Sequence, residues 1–173
     1  MIVDSAHYTY FQACIGRWRC PVDMQSTDVS ALRRAMGLFN MLGLWLMSVW
    51  PPWLGRFYLE TTVDMPHSAE VLHTTVVRWL GLPLLSTKER LVLHENGVNF
   101  SLSGEGHSLM APWYRDLMEG QGSIDPSATK GSYRLIWMGS PLIQSTVRDG
   151  DQVTLILEGA GFRSLQTLKR IRS

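Results

Sequence analysis

Residues Ala35 to Gly55 run for 21 positions without a charged side chain, held between Arg34 and Arg56. A stretch this apolar is not a helix solvated on all sides, so it must lie against protein, a ligand site or a lipid surface. From Glu70 onward the pattern changes to short segments of alternating apolar and polar residues, punctuated by Asn-Gly and Asp-Gly. That is the signature of half-buried antiparallel strands joined by tight turns. Together the two patterns describe a container with one helical piece.

The helical piece is expected near residues 28–50. Ser26, Thr27 and Asp28 offer caps, and Leu32, Met36, Phe39, Leu42 and Leu46 follow at three-to-four-residue spacing. Pro51 and Pro52 lack backbone donors and should stop the helix near Trp50. Between Arg34 and Pro51 the run covers ~24 Å of helix, short of a hydrocarbon layer of ~30 Å. Gly37, Asn40 and Gly43 weaken a span further. The segment is therefore expected to pack on a barrel or cap its opening.

A chain of 173 residues is enough for one domain, taken as 1–173 with the helical insertion at about 28–50. Sixteen Lys and Arg against 15 Asp and Glu leave no basic footprint, so nucleic acid is excluded as a partner. Cys14 and Cys20 would be too far apart for a bridge if both lay on one strand, and they lack metal-ligand spacing. Free thiols and no metal are expected. Met1 to Gln12 lacks the charged start and apolar centre of a secretory signal, which reads as cytoplasmic.

Tyr8 to Cys20, rich in aromatic and β-branched residues and ending at Pro21, reads as a first strand with a short helical lead-in. Further strands are expected at Phe57 to Val63, Val71 to Trp79, Tyr133 to Met138 and Phe162 to Lys169, with a less regular stretch from Gly104 to Gly122. A turn at Asn96-Gly97 sets Leu93 opposite Phe100 and Leu91 opposite Leu102. A second turn at Asp149-Gly150 sets Thr146 opposite Val153 and Gln144 opposite Leu155. The expected fold is mainly β: an antiparallel up-and-down barrel of about eight to nine strands, closed to remove exposed edges.

Gly16-Arg17-Trp18 on the first strand resembles the opening motif of the lipocalin and wider calycin superfamily. The resemblance implies a Trp that closes the barrel's base under an Arg from the last strand, with Arg163 and Arg170 both placed to serve. The contact would be a cation-π pair of about 0.5–2 kcal/mol. The early apolar segment is similar to the helical lid of intracellular fatty-acid-binding barrels.

No catalytic motif is present, and no cofactor is identified by the sequence. Glu105 and His107 share one side of a strand by alternation, so a carboxylate could orient an imidazole for proton transfer. A turn with solvated side chains fits the same residues. Any of His7, His67, His73, His94 and His107 could ligate a haem, and nothing selects one. Gly120-Gln121-Gly122 and Gly159-Ala160-Gly161 read as turns or bulges.

Trp79, Trp113, Tyr114, Tyr133 and Trp137 are candidates to line or gate a pocket, although core packing accounts for them as well. Gln144 and Thr146, polar on the more apolar face of their strand, suit a cavity holding water or a polar-headed ligand, and His107 completes the candidate set. Arg134 and Arg163 are the cations available to an acidic head, if they face inward. The leading expectation is binding or carriage of a small hydrophobic or amphipathic ligand in a barrel cavity. Two others stay open: an isomerase or cyclase using His107 and Glu105, and an interaction protein whose apolar helix forms a homodimer seam or touches a membrane.

Overall fold

The computed structural model describes residues 5–108, 111–137 and 139–172. A helix α1 (Ala6–Cys14) leads into β1 (Gly16–Pro21), a short β2 (Met24–Ser26) and the long helix α2 (Val29–Val49). After a single 3-10 turn at Pro52–Leu54 come β3 (Phe57–His67), β4 (Glu70–Trp79), β5 (Leu82–Leu93), β6 (Asn99–Ser108) and β7 (Ala111–Ile124). The chain finishes with β8 (Lys130–Trp137), β9 (Ser140–Asp149), β10 (Gln152–Gly159) and β11 (Phe162–Arg170).

Ten strands pair antiparallel in sequence order and close where β11 meets β1, with Trp18 opposite Arg170; β2 lies outside the ring, paired with β11. The expected count of eight to nine is thus corrected to ten plus one. The missing wall strand is β7, which falls in the stretch expected to be irregular. Its concealment has a physical cause. Inward pairs between β6 and β7 are Phe100 with Gly122, Leu102 with Gly120, Gly104 with Met118 and Gly106 with Asp116. One glycine per pair lets a large side chain cross the interior, and it erases the apolar alternation that marks a strand. A Cβ at Gly122 would run into the Phe100 ring, which is fully buried. Gly120 and Gly122 are therefore strand interior, not a turn.

The start of the expected first strand is helix instead. Ser5 caps α1 by accepting from the Tyr8 backbone N–H, and His7, Tyr10, Phe11 and Cys14 are buried at a spacing of three, four and seven. That is one face of a helix. It packs over an end of the barrel through an edge-to-face chain of rings: Tyr10 to Phe11 at 5.3 Å, Phe11 to Phe100 at 5.4 Å and Phe100 to Tyr133 at 5.0 Å. Both imidazole nitrogens of His7 are engaged, by the Ser5 hydroxyl at 2.7 Å and the His94 carbonyl at 2.8 Å.

The Gly-x-Trp motif anchors this end. Trp18 is 2 % exposed, and its Nε1 donates to the Cys14 carbonyl at 2.8 Å. The Arg170 guanidinium lies 4.3 Å over the indole and donates to the Ala13 and Ile15 carbonyls at the end of α1. Gly16 has φ +129, and a Cβ there would sit 2.9 Å from Arg170 Nη1. Glycine meets both demands. Arg163, the other candidate, faces outward and pairs with Glu158 at 3.1 Å.

At the opposite end, Asp28 caps α2 by accepting from Ser30 and Ala31. The helix ends before the Pro pair as expected. Met47 packs against the core, whereas Leu38, Leu42, Trp45 and Val49 form an exposed row. Among the described residues no helix is long and apolar enough to cross a membrane.

The Asn96-Gly97 hairpin has the expected register, Leu93 with Phe100 and Leu91 with Leu102. Its turn is wider than two residues, with the His94 N–H donating to the Asn99 carbonyl. The second hairpin is displaced by two residues: Asp149 pairs with Gln152, Thr146 with Leu155 and Gln144 with Leu157. The turn centres on Gly150 and Asp151, where Gly150 takes φ +55. A shift of two keeps every side chain on its face, so the inward set is unchanged.

Candidate functional site

Side chains facing inward from the wall leave a cavity of about 170 Å³ between α1 and α2. At ~10–15 Å³ per water position this holds on the order of ten waters, or ~300 Å³ of liquid, the lower end of the range for small-molecule sites. Most of the lining is apolar, including Leu59, Val77, Leu135, Leu155 and Leu157. Val22 and Met47 border it toward α2; Tyr10, Phe11 and Cys14 border it at α1.

Beside Met47, Trp50 packs edge-on against Phe57 at 5.6 Å and Trp79 at 5.3 Å. The indoles are held by carbonyls: Trp50 Nε1 donates to Gly55 at 3.1 Å and Trp79 Nε1 to Leu54 at 3.2 Å. These contacts fasten the end of α2 to the rim formed by β3 and β4.

Two polar groupings interrupt the apolar lining. At the α1 end the Tyr10 hydroxyl donates to Thr146 Oγ1 at 2.7 Å, and Thr146 donates onward to the Gly131 carbonyl at 3.4 Å. On the wall of β3, β4 and β5, the facing hydroxyls of Thr61 and Thr75 lie 3.0 Å apart. Alongside them, His73 Nδ1 is 2.8 Å from Glu89 Oε2, and Thr87 donates to Glu89 Oε1 at 3.3 Å. His73 and Glu89 are direct cross-strand partners, and the next residue across on β6 is Gly104, which adds no side chain to the site.

Burial decides the protonation of most of these groups. It pushes the Cys14 thiol up to about 11 and the Cys20 thiol up to about 12, and lifts the Tyr10 and Tyr133 hydroxyls above the ordinary tyrosine range. All four are neutral at physiological pH. For His73 burial acts against the charged form, but the Glu89 charge and hydrogen bond outweigh it and raise its pKa. A hydrogen-bonded pair of titratable groups therefore interrupts a largely apolar lining.

Tyr133, Trp137, Gln144 and Thr146 come together on this cavity. Trp79 sits at the rim in the aromatic cluster instead of on the lining. His107 does not face the interior: β6 turns Phe100 and Leu102 inward, so Glu105 and His107 point out, 3.5 Å apart, with the His107 side chain 48 % exposed. Glu105 also pairs with Arg115, whose hydrogen bond, together with that of His107, holds its carboxyl below the usual range. This pair is on the outer wall, away from the cavity where a proton-transfer role was expected. Trp113 and Tyr114 belong to β7, but their side chains lie outside the described residues.

Sequence reasoning passed over Tyr10 and Glu89 as cavity residues and named His73 only among five histidines that could ligate a haem. Alternation back from Leu93 and Leu91 reaches Glu89, and alternation from Val71 and Val77 reaches His73. Both signals were available. Tyr10 was hidden by reading helical spacing as a strand. Among the described residues no three His, Cys, Asp or Glu side chains gather as a metal-binding set, and both cysteines are free.

No family model matches the chain, and no curated protein matches it. Solved structures do. Rv2717c from M. tuberculosis aligns with a TM-score of 0.61 at 12% identity, over 96% of this chain and 98% of that one. Fatty-acid-binding protein 1 of Echinococcus granulosus aligns with a TM-score of 0.55 at 8% identity, over 93% of this chain and 99% of that one. At these identities the likeness establishes the fold: a closed antiparallel barrel of the calycin and lipocalin type.

Proposed function

We propose that this calycin-type barrel binds a small amphipathic molecule, its hydrocarbon part held between the apolar walls and its polar head turned to the hydroxyl and amide groups of the interior. The observation that carries the reading is the cavity itself, a largely apolar space between two helices in which Tyr133, Trp137, Gln144 and Thr146 converge. Natural cores are packed close to crystal density, and unfilled space of this size costs stability. Its retention makes sense if a ligand fills it. Burying eight methylenes there would gain about 6 kcal/mol at ~0.8 kcal/mol each, before the cost of association.

In this reading Met47, Trp50, Phe57 and Trp79 make the gate. Opening it requires α2 to release one methionine and one ring cluster, and leaves the hydrogen-bonded wall intact. Native mass spectrometry of the purified protein, with organic extraction and titration by a neutral fluorophore, tests the proposal. A co-purifying lipid-like molecule, or saturable one-to-one uptake lost when Leu135→Trp fills the chamber, is the expected result. An empty protein that takes up neither fluorophore nor any amphiphile would overturn it.

A further inference from the structure

The end of the molecule that carries α2 is apolar on its outside as well as within. Leu38, Leu42, Trp45 and Val49, spaced at four, three and four, run exposed along the helix, away from Met47, which packs against the core. Trp53, 82 % exposed, and Leu54 continue the patch past the helix end, and Leu80 and Leu82 join it from the turn between β4 and β5. The parts are contiguous: the Leu54 carbonyl accepts from Trp79 Nε1, and a Cβ at Gly55 would sit 2.8 Å from the Leu80 side chain. Leu80 takes φ +48, a backbone conformation that a bulky residue rarely adopts, yet its side chain is 68 % exposed. A strained turn that holds a leucine in water makes sense when something else covers it.

The charges around this patch are of one sign. Arg33, Arg34 and Arg56 are the only charged residues between Asp28 and Glu60, and all three are exposed. Exposed apolar residues elsewhere have a different setting: Ile143, on the outer wall, lies between Arg134 and Glu158, charges of both signs. Exposed tryptophan and leucine beside arginine fit the boundary of an anionic bilayer, where indoles sit at headgroup level and guanidinium groups meet lipid phosphates. A second copy of the chain fits less well, since pairing through this face would set the arginines of one against those of the other. We propose that the exposed row of α2, with Trp53 and Leu80 beyond it, docks on the surface of an anionic membrane, the helix lying in the interface and not across it. Docking brings the ring cluster of Trp50, Phe57 and Trp79 beside the bilayer, and it is independent of whether the cavity holds a ligand.

The test is co-sedimentation with vesicles of phosphatidylcholine alone, or of phosphatidylcholine and phosphatidylglycerol mixed two to one. The protein should partition to the mixed vesicles about tenfold or more above the neutral ones, and lose most of that advantage in high salt. Each arginine near an anionic surface raises partitioning about fivefold, so Arg33→Gln, Arg34→Gln and Arg56→Gln together should weaken it about a hundredfold. Trp53→Ser with Leu80→Asn should weaken it about tenfold or more, whereas Ile143→Ser should leave it unchanged. The substituted side chains are exposed, asparagine suits the positive φ at Leu80, and circular dichroism checks each fold; the wild-type comparison stands on its own if a variant does not fold. No binding to the mixed vesicles, or binding that both sets of variants retain in full, would overturn the proposal. Dimerisation in sedimentation velocity that Trp53→Ser abolishes, without vesicle binding, would overturn it in favour of a second copy on this face.

Discussion

Replacing Arg170 with Met should loosen the α1 end of the barrel and leave the wall standing. The guanidinium covers the Trp18 ring at 4.3 Å and donates to two carbonyls of α1 and its cap, at Ala13 and Ile15. Removing the cation-π contact costs about 0.5–2 kcal/mol. Leaving the end carbonyls without a charged donor adds about 1.5–3 kcal/mol, the range for hydrogen bonds to ionised groups. The ion pair to Asp151, half exposed, adds little. The sum is about 3 kcal/mol, a large share of a typical 5–15 kcal/mol total.

For a chain of this length that is a fall in Tm of roughly 6–12 °C, or ~1 M in urea at a slope of ~2–3 kcal/mol/M. The assay is urea unfolding followed by tryptophan fluorescence and far-ultraviolet circular dichroism. Arg163→Met is the internal control, because its partner Glu158 and Arg163 itself are both more than half exposed, and its cost should stay under about 0.5 kcal/mol. Arg170→Lys, which keeps charge and loses the fork, should fall between the two. Coincident midpoints for Arg170→Met and Arg163→Met would refute the assignment of closure to Arg170.

Gly122→Val should cost more than about 3 kcal/mol or prevent folding, since its side chain has to displace the buried Phe100 ring; thermal unfolding of soluble protein measures this. Stability should also depend on His73. Its folded pKa lies above the unfolded value of ~6.5, so its contribution is complete below that value and is lost as pH rises through the folded pKa. Urea midpoints from about pH 6 upward should decline in the wild type and flatten in Glu89→Gln. Met47→Ala together with Trp50→Ala should speed Nile red release several-fold in stopped-flow traces with little change in wall stability. Cys14 and Cys20 should resist a thiol reagent in the native protein and react at once in urea, because burial keeps both protonated.

Where a strand has one face toward apolar neighbours and the other toward water, its sequence was sufficient: Leu91, Leu93, Phe100 and Leu102 announced both their face and their pairing. β7 was illegible because four of its inward partnerships depend on glycine, in itself or in β6, and a missing side chain carries no hydropathy. α1 was misread for a different reason. Aromatic residues favour strands in isolation, but the register of His7, Tyr10, Phe11 and Cys14 matters more once there is an open barrel end to cover.

The cavity was only half legible for a third reason. Gln144 and Thr146 drew notice as polar residues among apolar ones, whereas Glu89 drew none and His73 stood only among five histidines that could ligate a haem. Their inward direction follows from alternation along their own strands, counted from Val71 and Val77 for His73 and from Leu91 and Leu93 for Glu89, a signal of position that residue type does not carry.

The seam of the barrel has a consequence for how the molecule is made. Most wall pairings join strands adjacent in the chain, but Arg170 reaches back to carbonyls 155 and 157 residues earlier. Until β11 arrives, the growing sheet has an open interior and a bare edge, the condition in which copies of a chain pair with one another instead of with themselves. Closure and the docking of α1 then depend on a single late event, because Arg170 belongs to the strand that seals the ring and also grips the helix. Chains synthesised slowly, or at high local concentration, spend longest in that open form, and the last strand governs their yield more than the quality of the walls already built.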